Sequence, residues 1–262
     1  MSQTEIIDII ILSYAKNDTL KSLTEQTIGS LIVSEAPPKI QFNIVVVESE
    51  KKLSPYQFEY TKTIYPKSKF GFNAYLNIGL KNTSNRYVCL CNNDLIFHAN
   101  WATEILNAFN NDDELLSTSP ICPRFHPGHG YQVNTGERIG YGVGREVAGW
   151  CIFLKRQVLE KIGTLDPKII FWYADNDYSN LLQKHGIKHA LVTSSIVEHM
   201  VESTKLSEDQ LNQNLYTKGS FIYYDYKWNH KNFALYIFRK ASFAIADRLR
   251  RLKRTVKRLN SR

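Results

Sequence analysis

Three apolar runs near the start of the chain each stop at a polar cluster, and a helical stretch separates each run from the next. Ile6-Ile7-Asp8-Ile9-Ile10-Ile11-Leu12 ends at Ser13-Tyr14, Phe42-Asn43-Ile44-Val45-Val46-Val47 at Glu48-Ser49, and Tyr87-Val88-Cys89-Leu90-Cys91 at Asn92-Asn93-Asp94. Such short apolar runs predict buried strands. Between them, residues 19–33 and 73–82 carry helical patterning, Pro37-Pro38 closes the first helix, and residues 100–110 predict another amphipathic helix. This alternation predicts an α/β fold, a mostly parallel sheet with helices on both faces. Open α/β sheets bind ligands beyond the carboxyl ends of their strands. Three polar strand ends in a row therefore predict a pocket. No G-x-G-x-x-G follows the first strand and no G-x-x-x-x-G-K-[ST] occurs, which disfavours a dinucleotide fold and a P-loop.

The character changes after Asp112-Asp113. Residues 120–149 are rich in Gly, Pro, His and aromatic residues and resist assignment to regular structure; such stretches are commonly functional. A strand resumes at Gly149–Leu154, with a helix over 156–162. Phe171-Trp172-Tyr173 then leads into Asp175-Asn176-Asp177 and a helix ending near Gly186, and a short strand, Ala190–Thr193, precedes Ile196-Val197-Glu198-His199. There is no internal repeat.

At 262 residues and 43% hydrophobic content, the chain can bury the core of one domain with an appendage. Its 15 Tyr and 13 Phe argue against disorder and suit a site for ring-shaped ligands. Cys89, Cys91, Cys122 and Cys151 form no C-x-x-C pair, so reduced thiols are expected rather than a disulfide framework or structural zinc. No stretch approaches the roughly 20 apolar residues of a membrane span, and Glu5 and Asp8 in the first apolar run disfavour a signal peptide. A cytoplasmic protein is expected.

The order and spacing of these pieces over roughly residues 6–200 resembles glycosyltransferase family 2, of the GT-A fold and the nucleotide-diphospho-sugar transferase superfamily. The matching pieces are Ser13-Tyr14 after the first strand, Glu48 after the second, and Gly71-Phe72-Asn73-Ala74-Tyr75-Leu76-Asn77-Ile78-Gly79 as a G-F-x-x-x-x-N-x-G segment. Asn92-Asn93-Asp94 stands where the family has D-x-D, Gly149–Arg156 is the counterpart of G-x-x-x-L-x-R-R, and Ile162-Gly163-Thr164-Leu165-Asp166 matches I-G-x-x-D. Phe171–Asp177 follows F-x-Y-x-D-x-D, and Val197-Glu198-His199 the late V-x-H. Among the departures from the pattern, Asn92 replaces the commoner acid, and Ala174 replaces the Glu often found before Asp175.

The resemblance implies a metal-dependent, inverting transferase, with a nucleotide-diphosphate sugar as donor and a glycan or lipid-linked hydroxyl as acceptor. A departing diphosphate needs a cation to stabilise its charge, and Mn²⁺ or Mg²⁺ accept carboxylate oxygen, with His also suited to manganese. Asp94 and His199 are the implied metal ligands. Ser13 and Tyr14 would line the base pocket, and Glu48 would accept hydrogen bonds from base or ribose. Asn73 and Asn77 would flank the nucleotide, and Asn92 and Asn93 would complete the donor site, Asn92 at the ribose. Asp175 is the implied general base. Trp150, Trp172 and Asp177 fall on the acceptor side, where aromatic faces suit a pyranose; Asp177 orients the loop or caps the next helix. His126 and His129 lie in the Gly-rich stretch without a zinc motif. A UDP-sugar is the default donor and dTDP-rhamnose an alternative, and the role implied is in surface polysaccharide synthesis, such as O-antigen or capsule.

The parts divide into a glycosyltransferase domain over 1–205 and a helical extension over 206–262. The first comprises a donor-binding half, about 1–112, and an acceptor-binding half, about 113–205. The net charge of +8 equals the eight Lys and Arg that follow Asp247, so residues 1–247 are neutral. Residues 231–260 read as one long helix or two short ones, with Ile245, Leu249, Leu252, Val256 and Leu259 in one apolar stripe. Such a helix suits the surface of an anionic membrane, which predicts a peripheral location on the inner face of the plasma membrane. Packing on its own domain or on a partner's coil is the structural alternative. A non-catalytic nucleotide- or glycan-binding module and a basic-tail nucleic-acid binder remain as other functions. The last is disfavoured because the body holds no nucleic-acid module.

Overall fold

A computed structural model describes residues 4–37, 39–50, 55–200, 213 and 215–259. Pro38, Lys51, Lys52, the boundary set at 205/206 and Arg262 lie outside the described residues.

The sheet grows from β1 (Glu5–Ser13), which pairs in parallel with β2 (Ile40–Glu48) on one side and β4 (Tyr87–Asn92) on the other. The register sets Ser13 opposite Glu48 and Leu12 opposite Asn92, so the polar strand ends lie side by side at one edge. β3 (Thr61–Ile64) extends this parallel half. Beyond β4 the order continues β8 (Cys151–Lys155), β6 (Leu115–Ile121), β9 (Lys188–His199) and β5 (Leu95–Phe97), with β7 (Glu137–Ile139) also paired to β9.

The second half adds antiparallel pairs to this parallel half, so the α/β sheet is mixed. β8 is antiparallel to β4 and to β6. β9 is parallel to β6 but antiparallel to β7 and β5. The reason is the route of the chain. The stretch before Gly149 lies over the ligand edge, so β8 enters the sheet there and runs back down it. β9 is also longer than the Ala190–Thr193 strand expected. Its register against β6 shifts after Val192, and the strand continues to pair with β5 through His199.

Alternating side chains of β1 feed two cores. Ile7, Ile9 and Ile11 pack with α1 (Asp18–Val33) and α3 (Trp101–Asn111). Ile10 and Leu12 pack with α2 (Phe72–Leu80), α4 (Gln157–Ile162) and α5 (Ala174–Lys184). Each fully buried Ile or Leu contributes about 1.5–3 kcal/mol. Gly79 lets α2 approach closely, since a Cβ there would stand 2.4 Å from Ile10 Cγ2. Asp8, buried within β1, is no defect. It accepts from Arg156 Nη2, Asn85 N, Asn85 Nδ2 and Asn43 Nδ2, each at 2.7 Å, and so bolts three strands at the edge opposite the ligand end.

The extension returns to the domain. α6 (Ser220–Asp225), flanked by π-helical turns Leu215–Gly219 and Tyr226–His230, packs near α5 and leads into one long helix, α7 (Phe233–Leu259). Arg239 joins Asp225 at 2.5 Å across that corner.

Candidate functional site

The turn after β4 is held from below by α1. Thr27 Oγ1 donates to Asn93 O and accepts from Leu95 N, while Asn93 Nδ2 donates to Thr24 Oγ1. The Asn93 side chain is thereby spent inside the protein. Its neighbour Asn92 ends β4 half-buried, and Asp94 follows it in the turn. Sequence reading missed Thr24 and Thr27, which look like ordinary helix residues until the strand they anchor is known.

Asp94 Oδ1 is buried and has no hydrogen-bond partner, yet lies 3.3 Å from His199 Nε2. The contact is set by β5–β9 pairing, Leu95 against His199, and by Met200 N donating to Asp94 O. The His199 ring stacks on Trp150, with centroids 5.1 Å apart and planes 3° apart. Trp150 in turn meets Phe125 and His126, and its carbonyl accepts from Asn92 N. A buried carboxylate oxygen without a hydrogen-bond partner beside an imidazole nitrogen could supply two donors to a small divalent cation. Cis ligands on an octahedral ion with bonds of about 2.1 Å sit about 3 Å apart, which the 3.3 Å separation suits. Among the described residues no cluster of three or more His, Cys, Asp or Glu side chains forms, so Asp94 and His199 could hold a cation only together with oxygens from a ligand.

Glu48 is fully buried and its carboxylate is engaged. It accepts from Ala15 N, Glu50 N at 2.7 Å and Tyr56 Oη at 2.9 Å. Burial first, and then the Glu48 charge, push the Tyr56 phenol up, so it stays a donor. Glu48 therefore ties the loops after β1 and β2 together and shapes the pocket rather than offering a free acceptor. Ser13 Oγ is bonded to Thr24. Tyr14 lies half-buried at the strand end, 5.9 Å below the Lys16 ammonium.

A second wall comes from α5. Asp175 sits in its first turn, accepts from Asn176 N, and lines an apolar cleft with Phe72, Asn73, Leu90, Gly149 and Leu165. Gly149 is the reason it fits, because a Cβ there would meet Asp175 Cβ at 2.7 Å. Burial raises the Asp175 pKa above the ordinary carboxylate value. Asn73 and Asn77 are occupied by structure. Asn73 Nδ2 donates to Asp166 O, and Asn77 both donates to Leu165 O and accepts from Leu165 N. They hold α2 against the loop under the cleft, with Asn73 also lining it.

Asp177 points the other way. It is buried and meets Lys227 Nζ at 2.7 Å and Trp228 Nε1 at 2.7 Å, both from the extension. Burial raises its pKa, and Lys227 and Trp228 oppose that shift. Its place is in the support of α5. Trp172 is exposed and set edge-on to Phe171. The structure thus brings Asn92, Asp94, Trp150, Asp175 and His199 to one edge, and gives Glu48, Asn93, Asn77 and Asp177 scaffolding contacts.

No protein-family model matches the chain, and no curated protein matches it in sequence. Among solved structures, the crystal structure of GalNAc-T7 with UDP, GalNAc and Mn²⁺ superposes with a TM-score of 0.59 at 14% identity, covering 77% of this chain. The fold is that of a GT-A glycosyltransferase. The chain spans 45% of the length of that neighbour.

Proposed function

We propose that this chain is a glycosyltransferase that moves a sugar from a nucleotide-diphosphate donor to an acceptor hydroxyl, with inversion at the anomeric carbon. The observation that carries this reading is the unpartnered Asp94 Oδ1 beside His199, at the mouth of β4 and one stacked ring away from the Gly149–Asp175 contact. The GT-A fold supports it. A divalent cation held by Asp94 and His199 would stabilise the charge on the departing diphosphate.

The chain's own residues supply the rest. The pocket shaped by Ser13, Tyr14 and Glu48 receives the nucleoside, with Asn92 at its inner edge. Trp150 and Trp172 offer faces to the acceptor. The acceptor oxygen attacks the anomeric carbon as the bond to the diphosphate oxygen breaks, the electron pair leaves with the diphosphate, and the hydroxyl proton passes to Asp175. A carboxylate raised by burial is a better base than a solvated one. A UDP-sugar is the first donor to test and a dTDP-rhamnose-type sugar the second. The acceptor class is a glycan or lipid-linked sugar of surface polysaccharide synthesis, at the cytoplasmic face of the membrane.

The deciding experiment measures release of nucleoside diphosphate from a panel of nucleotide-sugars with Mn²⁺, Mg²⁺ or chelator present. Cation-dependent release that rises with a glycan acceptor supports the reading. Donor binding without release in any combination would instead identify a binding module.

A further inference from the structure

The long helix α7 faces the wrong way for a packing helix. Through residue 256 its half-buried positions are Tyr236, Arg239, Phe243, Asp247, Arg250 and Arg254, spaced by threes and fours along one side. On the opposite side, Phe238, Ile245, Leu249, Leu252 and Val256 form a stripe with exposures of 71%, 63%, 54%, 54% and 55%. An amphipathic helix that served only its own domain would turn this stripe inward. Here the stripe is presented to the outside.

The charge on the same helix says what covers it. Nine basic residues stand in α7 against the single acid Asp247, the same net +8 that the whole chain carries. At 100° per residue, Arg248 and Lys253 flank the stripe on either side, and both are exposed. A second copy docked through this face would bring two helices of like charge together. A nucleic acid would meet the cations and leave the apolar stripe in water. An anionic bilayer satisfies both, taking the stripe among its acyl chains and the flanking cations at its headgroups. Among the described residues no helix is long and apolar enough to cross a membrane, and a helix so densely charged lies in the interface.

We infer that α7 is a bilayer-docking surface for anionic lipid, and that the helical corner held by Arg239 and Asp225 sets the pose of the domain on it. This inference does not depend on sugar transfer. The test sediments the full chain with vesicles of phosphatidylcholine alone or mixed with phosphatidylglycerol. The chain should pellet with the anionic vesicles, remain in solution with the neutral ones, and be released as salt screens the headgroups. Leu249→Ser with Leu252→Ser keeps every charge and should weaken binding at least tenfold. Arg248→Gln with Lys253→Gln should weaken it by on the order of tenfold. All four positions are exposed, so an unchanged melting temperature shows that the fold persists. Equal binding to neutral and anionic vesicles, or no binding to either, overturns the inference. So does a dimer in sedimentation velocity that the double serine variant loses, because the stripe would then belong to a second copy.

Discussion

The Lys227 ammonium sits 2.7 Å from the Asp177 carboxylate, which is buried two residues along α5 from Asp175. The same nitrogen lies 3.0 Å from Asp166 Oδ2, which also accepts from Tyr223 Oη at 2.8 Å. One side chain of the extension thereby fastens the cleft loop and the helix that carries the proposed base. Lys227→Met leaves Asp177 buried and stripped of its cation, a change that typically costs about 3–5 kcal/mol. The melting temperature should fall by roughly 10 °C, at about 2–4 °C per kcal/mol for a chain of this size. Adding Asp177→Asn should recover part of the loss, and a thermal melt of the four members of that cycle checks both statements.

Asp175→Asn should separate stability from activity. The amide keeps an acceptor for Asn176 N but ends the burial of a charge, so the variant should melt higher while its transfer rate falls by roughly 10²–10⁴-fold. In the wild type the rate should rise with pH through an Asp175 pKa that lies above the ordinary carboxylate value, and this limb should vanish in the variant. A variant with near-normal rates would remove Asp175 from the mechanism.

Gly149→Ala tests the fit rather than the chemistry. A methyl group 2.7 Å from Asp175 Cβ forces one of the two backbones to move. Transfer should drop at least tenfold, because small misplacements of a reacting group are expensive in rate. Mn²⁺-dependent donor binding through Asp94 and His199 should change little, as titration calorimetry would show.

Asp94→Asn removes the charge from the unpartnered oxygen but keeps its shape. Donor binding that responds to Mn²⁺ in the wild type should lose that response, and His199→Ala should weaken it and shift the preference among cations. Full transfer by chelator-treated protein would dismiss the pair as a metal site.

Acid should unfold the protein through its histidines. Burial lowers both His126 and His189 to about 4, from an ordinary value of 6.5. Below 6.5 the unfolded chain takes up protons that the native one refuses, so their contribution is complete above pH 6.5 and is lost as pH falls toward 4. Below 4 no further loss comes from these two. Urea midpoints measured across this window should drop steeply, and His126→Asn, which keeps an acceptor for Cys122 N, should flatten part of the slope.

The ligand edge was legible because strand alternation and polar ends obey local rules: Ser13, Glu48 and Asn92 meet through register alone. What stayed hidden depends on partners far along the chain. Leu115–Ile121 is buried at every position although Ser117, Thr118 and Ser119 interrupt it. Ser117 bonds Tyr178 Oη and His189 Nδ1, and Ser119 accepts from Ala148 N, so no local pattern marks the strand. Glu48 and Asn77 have the residue types of ligand contacts, and only the positions of Ala15, Tyr56 and Leu165 reveal that they brace loops instead. The antiparallel entry of β8 was hidden for a related reason. A chain direction set by a long irregular connection cannot be read from the strand that follows it.

β8 is fastened at both ends. Its entry is tied to the β4 mouth by Asn92 N and Trp150 O, and its exit is tied through Arg156 to the buried Asp8. The exposed turns of the segment before it, outside β7 and the buried His126, can therefore change without carrying Gly149 and Trp150 away from the strand mouth. A chain built this way can vary the exposed turn at 127–130, on the side proposed for the acceptor, while the strands beside it stay in register.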